Sequence, residues 1–140
     1  MATEKRTVLL VGGAGYVGSV ITGHLLRKGW HVRCLDQLIY KNESCAWADL
    51  SVPQYEFMQG DIRDPRFANQ ASKGVDDVVI LAGLVGDPIT SKYPDESHAI
   101  NRNGVASFID AMQHHPVDRL IFVSTCSNSG LVEVDTAVDE

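Results

Sequence analysis

Residues 11–19, VGGAGYVGS, join an unbroken apolar run, TVLLV at 7–11, to a stretch from Tyr16 to Lys28 whose apolar positions Val17, Val20, Ile21 and Leu25 recur at helical spacing. No other part of the chain restricts its fold so strongly. A short apolar run reads as a strand buried on both faces of a parallel sheet. The periodic stretch reads as an amphipathic helix closed by Gly29. The glycines then fall in the turn between them. Gly12 lets the chain turn sharply, Gly15 lets backbone approach a bound group, and Gly18 lets the helix lie close on the sheet. Amides around Tyr16 and Val17, at the positive end of the helix dipole, suit the pyrophosphate of a dinucleotide. A lysine-bearing phosphate loop is excluded because no Gly-Lys-Ser/Thr follows. The spacing Gly-x-x-Gly-x-x-Gly taken alone also fits an ordinary strand-to-helix turn.

The rest of the chain repeats the alternation. His31 to Leu35, Tyr55 to Gln59, Asp77 to Leu81 and Leu120 to Ser124 are further strand candidates. Asp64 followed by Pro65 signals the start of a short helix through Ala71. Asp95 or Ser97 is expected to cap a longer helix reaching Gln113, with Ile100, Gly104, Ser107/Phe108 and Ala111 toward the sheet. Residues 37–54 read as a loop with one weak helix, and Gly86-Asp87-Pro88 as a turn. About five strands alternating with helices imply right-handed crossovers and a doubly wound parallel α/β sheet of Rossmann type. Such a sheet binds ligands at the carboxyl ends of its strands.

Two further motifs sit at those ends. Strand two finishes at Asp36, eighteen residues beyond Gly18. An acid at about that separation meets the adenosine ribose, accepting from both hydroxyls and repelling a 2′-phosphate, which favours NAD over NADP. Arg33 and Lys41 nearby keep NADP as the secondary choice. GDIRDP, residues 60–65, follows strand three; Asp61 is placed to accept from an adenine amino group, while Asp64 reads as a helix cap.

Composition bounds the partners. The 140 residues and 44% hydrophobic content fit one domain, and a net charge of −6 with pI near 5.2 argues against nucleic acid or an anionic membrane surface. Without a spanning segment or a secretory leader, the expectation is a cytoplasmic protein. Cys34, Cys45 and Cys126 are too scattered for a disulfide framework or zinc site, and the five histidines show no metal-ligand pattern, so no metal is expected.

In combination the motifs GGAGYVGS, Asp36, GDIRD, VVILAGLVGDP, NRNG and FVSTCSNSG resemble, along essentially the whole chain, the extended short-chain dehydrogenases/reductases, particularly the NAD-dependent epimerases and dehydratases of nucleotide sugars. The resemblance implies roles position by position. Gly12, Gly15, Tyr16 and Val17, with Gly18 behind them, would hold the pyrophosphate, Asp36 the ribose, and Asp61 with Ile62 the adenine. Leu81, Ala82 and Gly83 would line the nicotinamide-side ribose. Asn101 matches the asparagine of Asn-x-x-Gly-Thr, although it also fits a local bridge within its helix. Thr125 matches the Ser/Thr that hydrogen-bonds the reacting substrate oxygen. Cys126 beside it reads as a packing residue.

Departures from that pattern carry chemistry. Ile80 replaces a usual histidine, Gly83 an alanine, Val105 a threonine and Ser129 a tyrosine. No Tyr-x-x-x-Lys occurs: Tyr16, Tyr40, Tyr55 and Tyr93 are followed four residues later by Val20, Ser44, Gln59 and Ser97. In the family that tyrosine exchanges the substrate hydroxyl proton while hydride moves to or from the nicotinamide. The resemblance therefore implies an NAD-binding domain over 1–140, truncated before the catalytic Tyr-x-x-x-Lys helix and lacking a substrate domain, with 131–140 an acidic tail. Such a chain is expected to be inactive alone, although its parent enzyme would act on a nucleotide sugar. The same residues also fit a non-catalytic dinucleotide sensor on this fold, and less well a methyltransferase-like domain. Val105, Ile109 and Met112 are expected on an exposed helix face and strand five as an open edge, both favouring homo-oligomers.

Overall fold

Five strands, Thr7–Val11 (β1), His31–Asp36 (β2), Tyr55–Gln59 (β3), Asp77–Ile80 (β4) and Arg119–Phe122 (β5), pair in parallel in the order β3-β2-β1-β4-β5. The computed structural model describes residues 6–41 and 50–125. The expected doubly wound parallel sheet is therefore the fold. β1 lies at its centre because TVLLV can be buried on both faces: Leu9, Leu10 and Val11 are almost fully enclosed. Successive β1 side chains alternate between two cores. Leu9 and Val11 join Val78, Ile80, Ile100 and Phe108 on one face, while Val8 and Leu10 join Val32, Cys34 and Tyr55 on the other.

The helix Tyr16–Arg27 (α1) forms where its periodicity puts it and stops at Gly29, whose φ of +82° suits a residue without a Cβ. Its buried face differs from the expected one. Gly18 and Thr22 are buried and Ile21 and Leu25 partly so, whereas Val17 and Val20 face outward. Small residues take the inner stripe because the helix lies so close to the turn. A Cβ on Gly18 would come within 2.6 Å of the Gly13 Cα.

Pro65–Ser72 (α2) starts as its sequence indicates, the Asp64 carboxylate accepting from the Arg66 amide at 3.0 Å. The long helix expected over 95–113 is present as one helical run from Pro94 to Met112, with a wider turn inside it and a separate short helix ahead of it. Asp87–Lys92 (α3) and Pro94–His98 (α4) each begin near a proline, a π-helical segment spans Ala99–Gly104, and Val105–Met112 (α5) follows. Neither Asp95 nor Ser97 caps: Ser97 lies inside α4 and donates to the Tyr93 carbonyl at 2.8 Å. Gly86-Asp87-Pro88 opens α3 and is more than a turn. Val105 and Met112, expected outside, are buried in the core formed by α2, α5 and the sheet, and Ile109 packs against it. β5 is a sheet edge, and Leu120, Ile121 and Phe122 are all exposed. Among the described residues no helix is long and apolar enough to cross a membrane. Of the stretch 37–54, expected to be a loop with one weak helix, residues 42–49 lie outside the described residues, as do Cys126 and the acidic stretch 131–140.

At the base of the sheet, Asp77 is buried at the start of β4 and held by Arg6 at 2.8 Å and Arg119 at 2.7 Å. Arg6 also reaches Asp118. These charges tie together the beginnings of β1, β4 and β5, at the end opposite to the glycine turn.

Candidate functional site

The carboxyl ends of β3, β2, β1 and β4 open onto one cleft. Its floor is built by register. Gly12 donates to the Leu35 carbonyl at 2.7 Å, Leu81 to Val11 at 2.8 Å and Gly60 to Asp36 at 3.0 Å, so each strand leaves the sheet at a matching level. Gly12 has φ +82°, and a Cβ there would sit 2.7 Å from the Ala82 nitrogen. Only glycine lets the turn pass this close to the end of β4.

Gly15 then caps α1 with extended backbone and no side-chain bond. The first-turn amides of Tyr16 and Val17 consequently have no intrahelical carbonyl within reach, and the helix dipole adds positive potential there. No acidic residue occupies that first turn, so nothing on the helix offsets the field. Donors of this kind fit a diphosphate.

Asp36 makes internal contacts that its position in the sequence does not reveal. One carboxylate oxygen accepts from the Ala14 amide at 3.0 Å and the other from the Leu38 amide at 2.8 Å. The side chain thus braces the glycine turn against the loop after β2 while still bordering the cleft. Beneath the same turn, the Cys34 thiol is buried and pushed up to about 12, chiefly by burial, with a hydrogen bond to Tyr55 acting in the opposite sense.

Of the residues singled out from sequence, Gly12, Gly15, Asp36, Ile62, Leu81, Ala82 and Gly83 border the cleft together. Gly18 is one turn below, packed on Gly13, and the Tyr16 and Val17 side chains are exposed, leaving their amides as the relevant groups. Asp61 is not free. Arg63 holds it through contacts of 2.6–3.0 Å and keeps its carboxyl below the usual carboxylate range. Arg63 also reaches Glu96 at 2.7 Å, so Asp61 belongs to a bridge between the loop after β3 and α4. Asn101, in the π-helical segment, clamps the loop after β4: its amide donates to the Leu84 carbonyl at 2.8 Å and its oxygen accepts from the Leu84 amide at 2.8 Å. The bridge within its own helix suggested by sequence is thus replaced by one to another loop. Thr125 is exposed just beyond β5 and is not among the residues bordering the cleft.

Sequence reasoning passed over Gln37, Ile39, Tyr40, Gly60, Leu84 and Ile100, which with the strand ends Val11 and Leu35 complete the lining. A signal was present for Ile39 and Tyr40. Both are large apolar residues that follow the acid at the end of β2 within four positions.

Residues 8–139 match the model of the NAD dependent epimerase/dehydratase family. The chain is 35% identical over 133 residues to a 3 beta-hydroxysteroid dehydrogenase/Delta 5-->4-isomerase of Mycobacterium tuberculosis, covering 92% of this chain and 34% of that protein. It is 32% identical over 126 residues to the UDP-glucose 4-epimerase of Lacticaseibacillus casei, covering 89% of this chain and 37% of that protein. The UDP-glucose 4-epimerase of Thermus thermophilus, solved as a complex with NAD, superposes with a TM-score of 0.78 at 27% identity, over 96% of this chain and 42% of that one. The chain therefore spans about a third of the length of the curated relatives it matches.

Proposed function

The chain belongs to the NAD dependent epimerase/dehydratase family, and from that premise we propose that it binds NAD in the cleft across β3, β2, β1 and β4. The pyrophosphate lies over the turn at Gly12 and Gly15 and takes the amides of Tyr16 and Val17, the adenosine ribose lies against Asp36, and the nicotinamide ribose along Leu81, Ala82 and Gly83. The observation that carries this reading is one continuous cleft bordered by the glycine turn, a carboxylate at the end of β2 and the backbone after β4. Gly18 sets the height of α1 over the turn, and Asn101 fixes the β4 loop through Leu84.

Arg63 changes the expected adenine contact. With the Asp61 carboxylate already accepting from the guanidinium, Ile62 and its neighbouring backbone carry the base, and Asp61 contributes whatever acceptor capacity the ion pair leaves.

NAD bound here supplies a reversible acceptor and donor of hydride. The protein of which such a domain is part is an epimerase or dehydratase of a nucleotide sugar, as the UDP-glucose 4-epimerase relatives suggest. Thr125 orients a substrate oxygen. Proton transfer is assigned to no residue, since this sequence contains no Tyr-x-x-x-Lys.

Calorimetric titration of the purified chain with NAD, NADP and S-adenosylmethionine tests the assignment. Saturable binding of NAD, weaker binding of NADP and none of S-adenosylmethionine is the expected result. Absence of NAD binding to a folded chain refutes it.

A further inference from the structure

The loop that leaves β2 is held in an unusual shape. Leu38 and Lys41 both have positive φ, 60° and 53°, although neither is glycine. A bulky side chain at positive φ is rare and is kept only when its surroundings hold it there. Three contacts do so. Leu38 is buried in the core with Val8, Leu10 and Cys34, its amide donates to Asp36 at 2.8 Å, and its carbonyl accepts from the Lys41 amide at 3.0 Å.

The consequence appears one residue further on. With Leu38 driven inward, Ile39 and Tyr40 are left half-exposed, 48% and 56%, and both border the cleft. The strand order places them at its β2/β3 end, with Gly60 and Ile62. A dinucleotide whose pyrophosphate lies over β1 and whose ribose meets Asp36 must put its base at that end.

We propose that Tyr40 forms the aromatic wall on which the base of the dinucleotide stacks, with Ile39 and Ile62 lining the same end of the cleft. This rests on the NAD reading above. The chemistry is that of a flat π-system against an aromatic ring and aliphatic groups, which needs no charged partner for the base. It also accounts for how an adenine site works while Asp61 is engaged by Arg63. The cost of holding Leu38 at positive φ is borne by the core and by Asp36, so the wall is set before a ligand arrives.

The test uses NAD, AMP and inorganic pyrophosphate with the wild type, Tyr40→Ala and Tyr40→Phe. Tyr40→Ala is expected to raise the Kd for NAD and AMP about tenfold, equivalent to about 1.4 kcal/mol, with the ligand-free Tm unchanged. Competition by pyrophosphate should be unaltered, and Tyr40→Phe should bind NAD within about twofold of wild type. A Tyr40→Trp variant should have its emission quenched by AMP and not by pyrophosphate. The proposal is overturned if Tyr40→Ala binds NAD like wild type, if Tyr40→Phe loses as much as alanine, or if pyrophosphate competition weakens in parallel. Failure of the wild type itself to bind NAD overturns the parent reading, and this one with it; binding by the wild type with no effect at Tyr40 overturns this one alone.

Discussion

Replacing Asp36 by asparagine separates the bracing its carboxylate performs from the ribose contact proposed for it. Its oxygens accept the Ala14 amide at 3.0 Å and the Leu38 amide at 2.8 Å, in a half-buried setting. Asparagine keeps the volume but has a single acceptor oxygen. It can satisfy either amide, and its own NH2 is then directed at the other donor. Losing one charge-assisted bond of this kind costs about 1.5–3 kcal/mol. At about 4 °C per kcal/mol for a domain of this size, the variant should melt about 6–12 °C below wild type without ligand.

The ligand-binding effect has a different signature. Hydrogen bonds from ribose hydroxyls to an anion are about twice as strong as those to a neutral amide. Removing the charge should therefore weaken NAD by about 2 kcal/mol, close to thirtyfold. The same change removes the repulsion felt by a 2′-phosphate, so NADP should lose little. Loosening of the glycine turn weakens both dinucleotides alike and cancels from their ratio. Differential scanning fluorimetry gives the stability term, and parallel titrations with NAD and NADP give the ratio. A lowered Tm with an unchanged NAD/NADP ratio would refute the ribose assignment, leaving Asp36 as an internal brace and nothing more.

Gly18→Ala should destabilise by about 1–3 kcal/mol and weaken NAD, because its Cβ would lie within 2.6 Å of the Gly13 backbone; Gly23→Ala on the same helix meets only the mobile end of Arg27 and should be neutral or stabilising by up to about 1 kcal/mol, both read by urea denaturation. In a background where Cys45 and Cys126 are serine, Cys34 should react with a disulfide reagent at pH 8 only as fast as the chain unfolds, since burial raises its pKa to about 12; rapid labelling of folded protein would contradict that burial. The Asp77 carboxyl is held below its usual range first by Arg6 and then, after an opposing burial effect, by Arg119. A depressed folded pKa stabilises above the unfolded value, about 3.9, and that stability is lost as pH falls through the folded value. Asp77→Asn should therefore cost about 1.5–3 kcal/mol at pH 7, and its deficit should shrink progressively below about pH 4, as denaturation at pH 7, 4 and 3 would show.

Much of this architecture was legible because strand and helix leave different periods in the sequence. TVLLV, HVRCL, YEFMQ and DVVIL are short, bounded and rich in residues that fill a pleated sheet, and each became a strand within one residue of its expected limits. The inner face of α1 was misread because hydrophobicity marks a buried stripe only when there is space for side chains. Close to the glycine turn the space admits Gly18 and Thr22, and the larger Val17 and Val20 are turned out. The helix over 95–113 gives no sign of its π-helical turn because Ile100, Gly104 and Phe108 are four apart, a spacing that an α-turn and a wider π-turn both accommodate. Pro88 and Pro94 mark the starts of α3 and α4, and neither falls within 95–113. In GDIRDP two acids each have an arginine two residues on, and only the folded loop shows that Asp61 takes Arg63 and Asp64 takes Arg66.

The contacts of the π-helical segment explain why the wider turn is kept. Ile100 borders the cleft, Asn101 clamps both backbone groups of Leu84, and Gly104 rests against Ile62 and the stem of Arg63. One turn of chain thus touches the loops after β3 and β4, whose strands are separated in the sheet by β2 and β1. An uninterrupted α-helix advances about 100° per residue, whereas the wider turn shifts the residues that follow relative to those before it. That shift lets Asn101 reach the β4 loop while Ile100, Gly104 and Phe108 remain on the core side. The Arg63–Glu96 ion pair fixes the entrance of the segment from the β3 side. The two ends of the cleft are therefore coupled through packed side chains and paired hydrogen bonds, so a substitution in the GDIRD turn should disturb the loop that carries Leu81–Leu84 even though the two do not adjoin in the sheet.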